Sequence, residues 1–598
     1  MILYYSWPVG LFVSYFIWKW LQKSRYRSIA HHCAQRKRSV RDKRREELLN
    51  LLQTKYSSKL PDQSVIERIY KSTATELLEG LEKRDFTYTQ VVLVLSLRAI
   101  KIGQEINCTT EEFFDQAIVL AEKLDADETN QEKLLLKGIP ISIKDHIDQQ
   151  GADSSMGMAM RNFRPSLKDS LIVQLLKEQG ALAGFVHTAT IQGMMLPECE
   201  SETYGIVGNP FDRARTPGGS SGGDAALVAA CGTPIGIGSD IGGSIRIPAH
   251  FCGVFGFKPT PGRITRKGVT VPSKKQYMGE TNVRSTMGPL ARSTADLVLV
   301  MRSFLQETMW FEDPEIPRQP WREERFNDKK RLTIGYYTND NWFPASPACI
   351  RAVNEAVEAL RKLGHTVIPY TPIDVSEAVR LYVGIVGADG ARHFYESLEN
   401  EPHNPLYTAL LFSAQLPNFL RPFIVCFMRL LGERRNAIVI ESVGSKSAYE
   451  YFDLVIDLRR YIDRWLDDMK QNHIDLLLTP VNALPAYRRG QSKYLFSSCS
   501  YTFLFNILHL PAGVVPMTVV RDDEQYYEES GHLHNDMISK MAKDVCRDSA
   551  GLPIGVQLVG WPNDDERVLC VMNELESTID KNHRPMPALA KNIDIYAN

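Results

Sequence analysis

The sequence predicts an α/β fold around a substantially parallel sheet, on three observations. Ile139, Ile141 and Ile143 alternate with other residues, the period-two pattern of a strand. Residues 171–178 have helical spacing, Gly180 stops them, and 181–186 read as a second strand, followed by a small-residue helix over 224–230. The same exchange of strand and helix returns at 332–337, 350–363, 366–369 and 475–479. Strands alternating with helices imply crossover units and hence parallel pairing. Before them, 75–120 is helical by its apolar spacing, with Leu77, Leu78 and Leu81 and then Val91, Val92, Val94, Leu95 and Leu97.

Composition bounds the rest. The 598 residues are 44% hydrophobic and 24% charged, with a formal net charge of -1. These fractions exclude a disordered, collagenous or polytopic membrane chain. Near-zero charge argues against a nucleic-acid partner, which needs a basic surplus. At about 100–200 residues per domain, the length allows three or four domains or one large one. Ten cysteines are scattered with no CxxC or Cys/His metal spacing, so they read as small core residues, and neither metal nor organic cofactor is implied.

Residues 2–20 hold one charge, Lys19, and carry Tyr4, Tyr5, Trp7, Trp18 and Trp20 near their ends. About 19 residues can just cross a hydrocarbon core of ~30 Å, and aromatic rings favour its interfaces. A transmembrane anchor is therefore expected over 1–21. Eleven Lys or Arg residues against Asp42 follow between 19 and 45, which places the rest of the chain on the cytosolic side. Beside a membrane helix the stripe 36–45 reads as a contact for anionic headgroups, although a nuclear signal has the same composition. Residues 22–74 are expected to be a basic, helical linker, and 75–598 the catalytic domain. Within 310–325, Pro314, Pro317 and Pro320 stand three apart, so 314–320 is either a surface connection or an SH3 contact. Residues 406–431 are very apolar but broken by Pro417 and Pro422, which fits a helical pair lying in a membrane surface better than a spanning helix, with a buried core pair as the alternative.

The chemistry concentrates in 217–251. Gly218-Gly219-Ser220-Ser221-Gly222-Gly223 and Asp240-Ile241-Gly242-Gly243-Ser244-Ile245-Arg246 make two glycine turns separated by a small helix. Such turns bring backbone N–H groups close to a ligand and suit an oxyanion. Phosphate binding is disfavoured, because neither a Gly-Lys-Ser/Thr nor a strand-borne GxGxxG spacing is present. Gly218 to Gly222 formally matches the GxSxG nucleophile elbow, but the polar, Pro-broken residues 211–217 do not read as the strand that elbow requires. A serine needs a base. His187, His250 and His509 stand in no motif, whereas Lys144 ends an apolar strand, where burial would lower its pKa towards ~7–8.

Lys144, GGSSGG at 218–223 and DIGGSIRIP at 240–248, with 24 residues between Ser220 and Ser244, together resemble the amidase signature family, and within it the fatty acid amide hydrolases. The segments LPAGVVP at 510–516 and GLPIGVQL at 551–558 strengthen the resemblance, which spans about 75–580 in motif order. It implies a large mixed, mostly parallel twisted sheet surrounded by helices. It also implies a Ser-Ser-Lys triad, with Ser244 as nucleophile, Ser220 as bridge and Lys144 as base and later acid. The amides of Ile241, Gly242, Gly243 and Ser244 would form the oxyanion hole. Met194 and Thr188 would lie beside a cytosolic port, with Ser221 supporting the turn. The implied activity is hydrolysis of fatty acyl amides by a homodimer at an intracellular membrane, the endoplasmic reticulum, with 406–431 as a membrane-binding cap. In the vertebrate fatty acid amide hydrolases that the chain resembles, an aromatic residue stands at the position of Met195, a departure that bears on acyl-chain and amide-versus-ester preference. A monoacylglycerol or other fatty-ester hydrolase on the same triad is the alternative. A non-catalytic lipid-binding scaffold would not need all three triad residues, and a soluble glutaminase-type amidase would not need the apolar segments.

Overall fold

The computed structural model describes residues 6–127, 133–273, 279, 281–528, 536–580 and 584–592, with side chains from residue 21 onward. Eleven strands form one sheet: β1 (Thr109–Glu112), β2 (Pro140–Lys144), β3 (Leu182–Thr188), β4 (Ile235–Asp240), β5 (Phe255–Lys258), β6 (Thr286–Ala291), β7 (Thr333–Tyr336), β8 (Thr366–Pro369), β9 (Leu476–Pro480), β10 (Ala512–Val519) and β11 (Pro553–Val559). Their spatial order is β1-β3-β2-β4-β6-β5-β10-β11-β9-β7-β8. The helices that matter for the site are α1 (Ser6–Lys55), α2 (Tyr88–Ile106), α3 (Leu171–Glu178), α4 (Gly222–Ala229), α5 (Arg246–Cys252), α6 (Thr408–Gln415) and α7 (Arg421–Leu430).

Local chemistry sets the element ends. Thr87 and Gln90 form a reciprocal capping box at the start of α2, and Asn107 ends it in the left-handed region. The helix is apolar nearly all round because it is buried nearly all round, from Val91 to Ile106. Ser170 accepts from the Val173 N–H at the start of α3, and Gly180 turns the chain into β3 at φ 81°.

The sheet is mixed, but its pairings are not mostly parallel as expected. Among the described residues, six of its ten neighbouring pairs are antiparallel. The alternation of helix and strand gave the right elements. It mispredicts direction where a helix joins strands that are not neighbours: α5 links β4 to β5, yet β6 lies between them and pairs antiparallel with both. Parallel pairing holds around the site, where β2 lies between β3 and β4. Both faces of β2 are therefore covered, and all five of its residues are buried. Ser142 and Lys144, the polar half of the alternation, have no solvent face to occupy and must find partners inside.

The anchor expected over 1–21 is not found as a span. Among the described residues, no helix is long and apolar enough to cross a membrane. Residues 1–5 of that run lie outside the described ones. The helix that begins at Ser6 continues unbroken to Lys55, and its Ser, Pro, Tyr and Trp residues, followed by Lys19 and Lys23, dilute the apolar run.

The expected linker is packed against the catalytic domain. Ala30, Ala34, Leu48 and Leu52 of α1 are buried. Lys37 Nζ lies 2.6 Å from both Glu111 and Asp153, Arg45 is 2.8 Å from Glu112, and Arg44 is 2.8 Å from Asp115. Three of the seven basic residues in the stripe expected to meet headgroups thus face carboxylates of the catalytic domain, because removing a charge from water requires a partner. Pro314, Pro317 and Pro320 lie exposed on a surface connection. All ten cysteines are free, and eight of them are buried.

Candidate active site

Lys144 is fully buried at the end of β2. Its Nζ donates to Ser220 Oγ at 2.7 Å and to Ser239 Oγ at 3.0 Å. Burial of the ammonium lowers its pKa to about 7, against the raising influence of the Asp224 carboxylate. Asp224 itself is pushed up to about 7 by burial and accepts from Ser142 Oγ at 2.9 Å. Desolvation thus drives both groups towards their neutral forms, which leaves the lysine able to take a proton near neutrality.

Ser220 follows a cis Gly219–Ser220 peptide. Gly219 is required there, since a β-carbon would stand 2.1 Å from the Glu198 carbonyl oxygen. Thr190 Oγ1 donates to the Ser220 carbonyl at 2.7 Å and fixes the turn. Ser221 ties it to the second turn. Its N–H donates to the Ser244 carbonyl at 3.1 Å, and its hydroxyl exchanges bonds of 3.3 and 3.4 Å with the Ser239 backbone.

The second turn is built around Asp240 at the end of β4. Its carboxylate accepts from the Gly243 N–H at 2.8 Å and the Ile245 N–H at 3.2 Å, and pairs with Arg246 at 3.0 Å. Asn506 Nδ2 adds a bond of 2.9 Å. Both Asp240 and Arg246 are buried, and removing one partner from such a pair costs about 3–5 kcal/mol. Gly243 has φ 122°, and a β-carbon would come within 2.5 Å of Thr502 Oγ1. The Asp240 bond changes one expectation: the Gly243 N–H is already spent. The N–H groups of Ile241, Gly242 and Ser244 have no acceptor among the described residues.

Ser220, Ile241, Gly242, Gly243, Ser244 and Met194 all line one cavity of about 240 Å³. Its walls are largely apolar, and they extend to Leu410, Leu411 and Ala414 on α6. Met194 sits in a turn at φ 62° beside Met195, which also faces the cavity. Thr188, expected beside a port, is instead buried as the pairing partner of Lys144 across β2 and β3.

The rival bases fall away on position. His187 bonds Gln149 at 3.0 Å, His250 bonds the Leu484 carbonyl at 3.1 Å, and His509 bonds the Asn282 carbonyl at 2.8 Å. None of the three lines the cavity. The nucleophile-elbow reading fails too, because 211–217 is loop. Sequence reasoning missed Ser239, Asp224 and the Asp240–Arg246 pair. Ser239 and Asp240 adjoin the second glycine turn, and a buried acid three residues before a positive-φ glycine is a signal for a carboxylate-braced turn.

Residues 90–569 match the family described as Amidase. A relative from Sus scrofa, fatty-acid amide hydrolase 1, is 32% identical over 512 residues, covering 85% of this chain and 86% of its own. Fatty acid amide hydrolase 1 of Caenorhabditis elegans is 29% identical over 515 residues, covering 84% and 87%. A solved structure of a fatty acid amide hydrolase superposes with a TM-score of 0.72 at 25% identity, over 92% of this chain and 89% of that one.

Proposed function

The chain belongs to the amidase signature family and hydrolyses amides, and on that premise we propose that its substrates are fatty acyl amides, cleaved through Ser244, Ser220 and Lys144. The observation that carries the reading is a buried lysine of lowered pKa, 2.7 Å from Ser220, which itself lines an apolar cavity together with Ser244. Neutral Lys144 takes the proton of Ser220 as Ser220 takes that of Ser244. Ser244 Oγ attacks the acyl carbonyl, and the N–H groups of Ile241, Gly242 and Ser244 stabilise the oxyanion. The relay then reverses. The proton passes through Ser220 to the leaving nitrogen, the C–N bond breaks, and the amine departs. Water attacks the acyl-enzyme with the same groups as base, releasing the fatty acid and restoring Ser244.

The apolar cavity wall supports a long acyl chain rather than a polar acyl group. The test is a competition in detergent between equimolar oleoyl ethanolamide and monooleoylglycerol. Amide turnover at least comparable to ester turnover is the expected outcome; ester turnover alone would make the protein a lipase.

Membrane association is part of the proposal. Phe419 is 72% exposed, Phe423 73% and Leu430 80%, with Phe412, Phe427 and Leu431 also exposed around α6 and α7. Exposed apolar patches of this kind mark interaction surfaces. Because α6 also contributes to the cavity wall, the patch fits a lipid surface from which an acyl chain enters. The Phe423→Asp, Phe427→Asp double variant is expected to lose most of its co-sedimentation with phosphatidylcholine vesicles. Turnover of a short, soluble acyl amide should stay within about twofold of wild type. Unchanged sedimentation would remove this surface from the account.

A further inference from the structure

The mechanism above leaves a buried histidine in the cavity wall unused. His146 lies two residues beyond Lys144 and is 2% exposed. Its backbone is clamped on both sides: its N–H donates to the Lys144 carbonyl at 2.7 Å, and its own carbonyl accepts from the Thr270 N–H at 2.7 Å. Ile147 pairs with Val269 immediately after. This clamp fixes the ring among the cavity-lining residues, with Val269 and Val271 beside it.

The ring has no hydrogen bond of good geometry to any described residue. Nδ1 is buried without a partner, with the Lys144 carbonyl as the backbone acceptor that acts on the ring. Burial and the neighbouring Lys144 charge hold the imidazole well below its ordinary pKa, so it is neutral. A neutral imidazole carries one donor and one acceptor. Nδ1 is closed off inside the wall, so Nε2 is the ring nitrogen left to face the cavity. No described residue bonds Nε2, and the cavity is where its partner would come from.

Position says which end of a substrate supplies that partner. Two residues span at most about 7 Å, so the ring stays near Lys144 and the relay. The relay must deliver its proton to the leaving nitrogen, so the amine portion of the substrate lies at this end. We propose that His146 is a specificity-determining residue for the leaving group, its Nε2 accepting a hydrogen bond from a hydroxyl carried by the departing amine. This assignment rests on the fatty acyl amide reading above. It selects hydroxyalkyl amides over alkyl amides of equal size, because a site built to bond a hydroxyl discriminates against an analogue without one.

The experiment compares kcat and KM for oleoyl ethanolamide and N-propyl oleamide, which differ by hydroxyl against methyl, in wild type, His146→Phe and His146→Gln. In wild type the ethanolamide should be favoured by about tenfold in kcat/KM. His146→Phe should remove that preference, mainly by raising KM for the ethanolamide, while the N-propyl amide stays within about twofold. That retained turnover shows the variant is folded. His146→Gln, which keeps an acceptor on a longer side chain, should restore part of the preference. Equal losses on both substrates, or a preference unchanged in His146→Phe, would overturn the assignment. Wild-type enzyme inactive on both amides would overturn the fatty acyl amide reading itself.

Discussion

Ser244→Ala is expected to lose about 10⁴–10⁶-fold in kcat on oleoyl ethanolamide, the scale seen when a nucleophile that works as part of a unit is removed. The loss should appear without unfolding. Ser244 Oγ makes no hydrogen bond to a described residue, so its removal orphans no partner, while the Ser244 backbone keeps its bond to Ser221. Thermal unfolding should therefore match wild type within about 0.5 kcal/mol. Turnover surviving at more than about a tenth of wild type would remove Ser244 as the nucleophile.

Lys144→Ala is expected to separate amides from esters. An alkoxide can leave unaided, but an amine needs the proton that Lys144 returns. General acid–base catalysis contributes about 10²–10⁴-fold. The amide should accordingly lose about 10⁴-fold and the matched ester about 10²-fold, and equal losses would deny Lys144 the acid role. The wild-type pH profile makes the same test without mutation. The base form of Lys144 is the neutral amine, and its pKa is held down at about 7 by burial. Below pH 7 the ammonium form accumulates, so kcat/KM should fall as pH drops through 7 and level off above about 8. A profile flat from pH 6 to 9 would mean that the group is not titrating in the catalytic step.

Much of the local structure was legible in the sequence, because it depends on neighbours in the chain. The helix at 171–178 has a serine cap before it and Gly180 after it, and the structure places α3 over those residues. The strand ending at Lys144 could be read from the alternation of isoleucines. The two glycine turns were recognisable as a pair, and the structure shows Ser221 joining them. What was hidden depends on residues far apart in sequence. Strand direction failed where α5 joins strands separated by β6. The basic stripe of α1 looked destined for headgroups because its carboxylate partners lie more than 60 residues away, at Glu111, Glu112 and Asp153. The same limit hid the Arg246 contact with Asn506 and the second partner of Lys144, Ser239. The reading of 2–20 as a span weighed its near-absence of charge more heavily than its content of Ser, Tyr and Trp.

The central claim is that Ser244 carries the acyl group during amide hydrolysis. The direct measurement is acid quenching of wild-type enzyme during turnover of oleoyl amide, followed by proteolysis and peptide mass spectrometry. The account predicts an oleoyl ester on Ser244, absent in Ser244→Ala. An adduct on Ser220 or Ser239, or undiminished amide turnover in the variant, would contradict it.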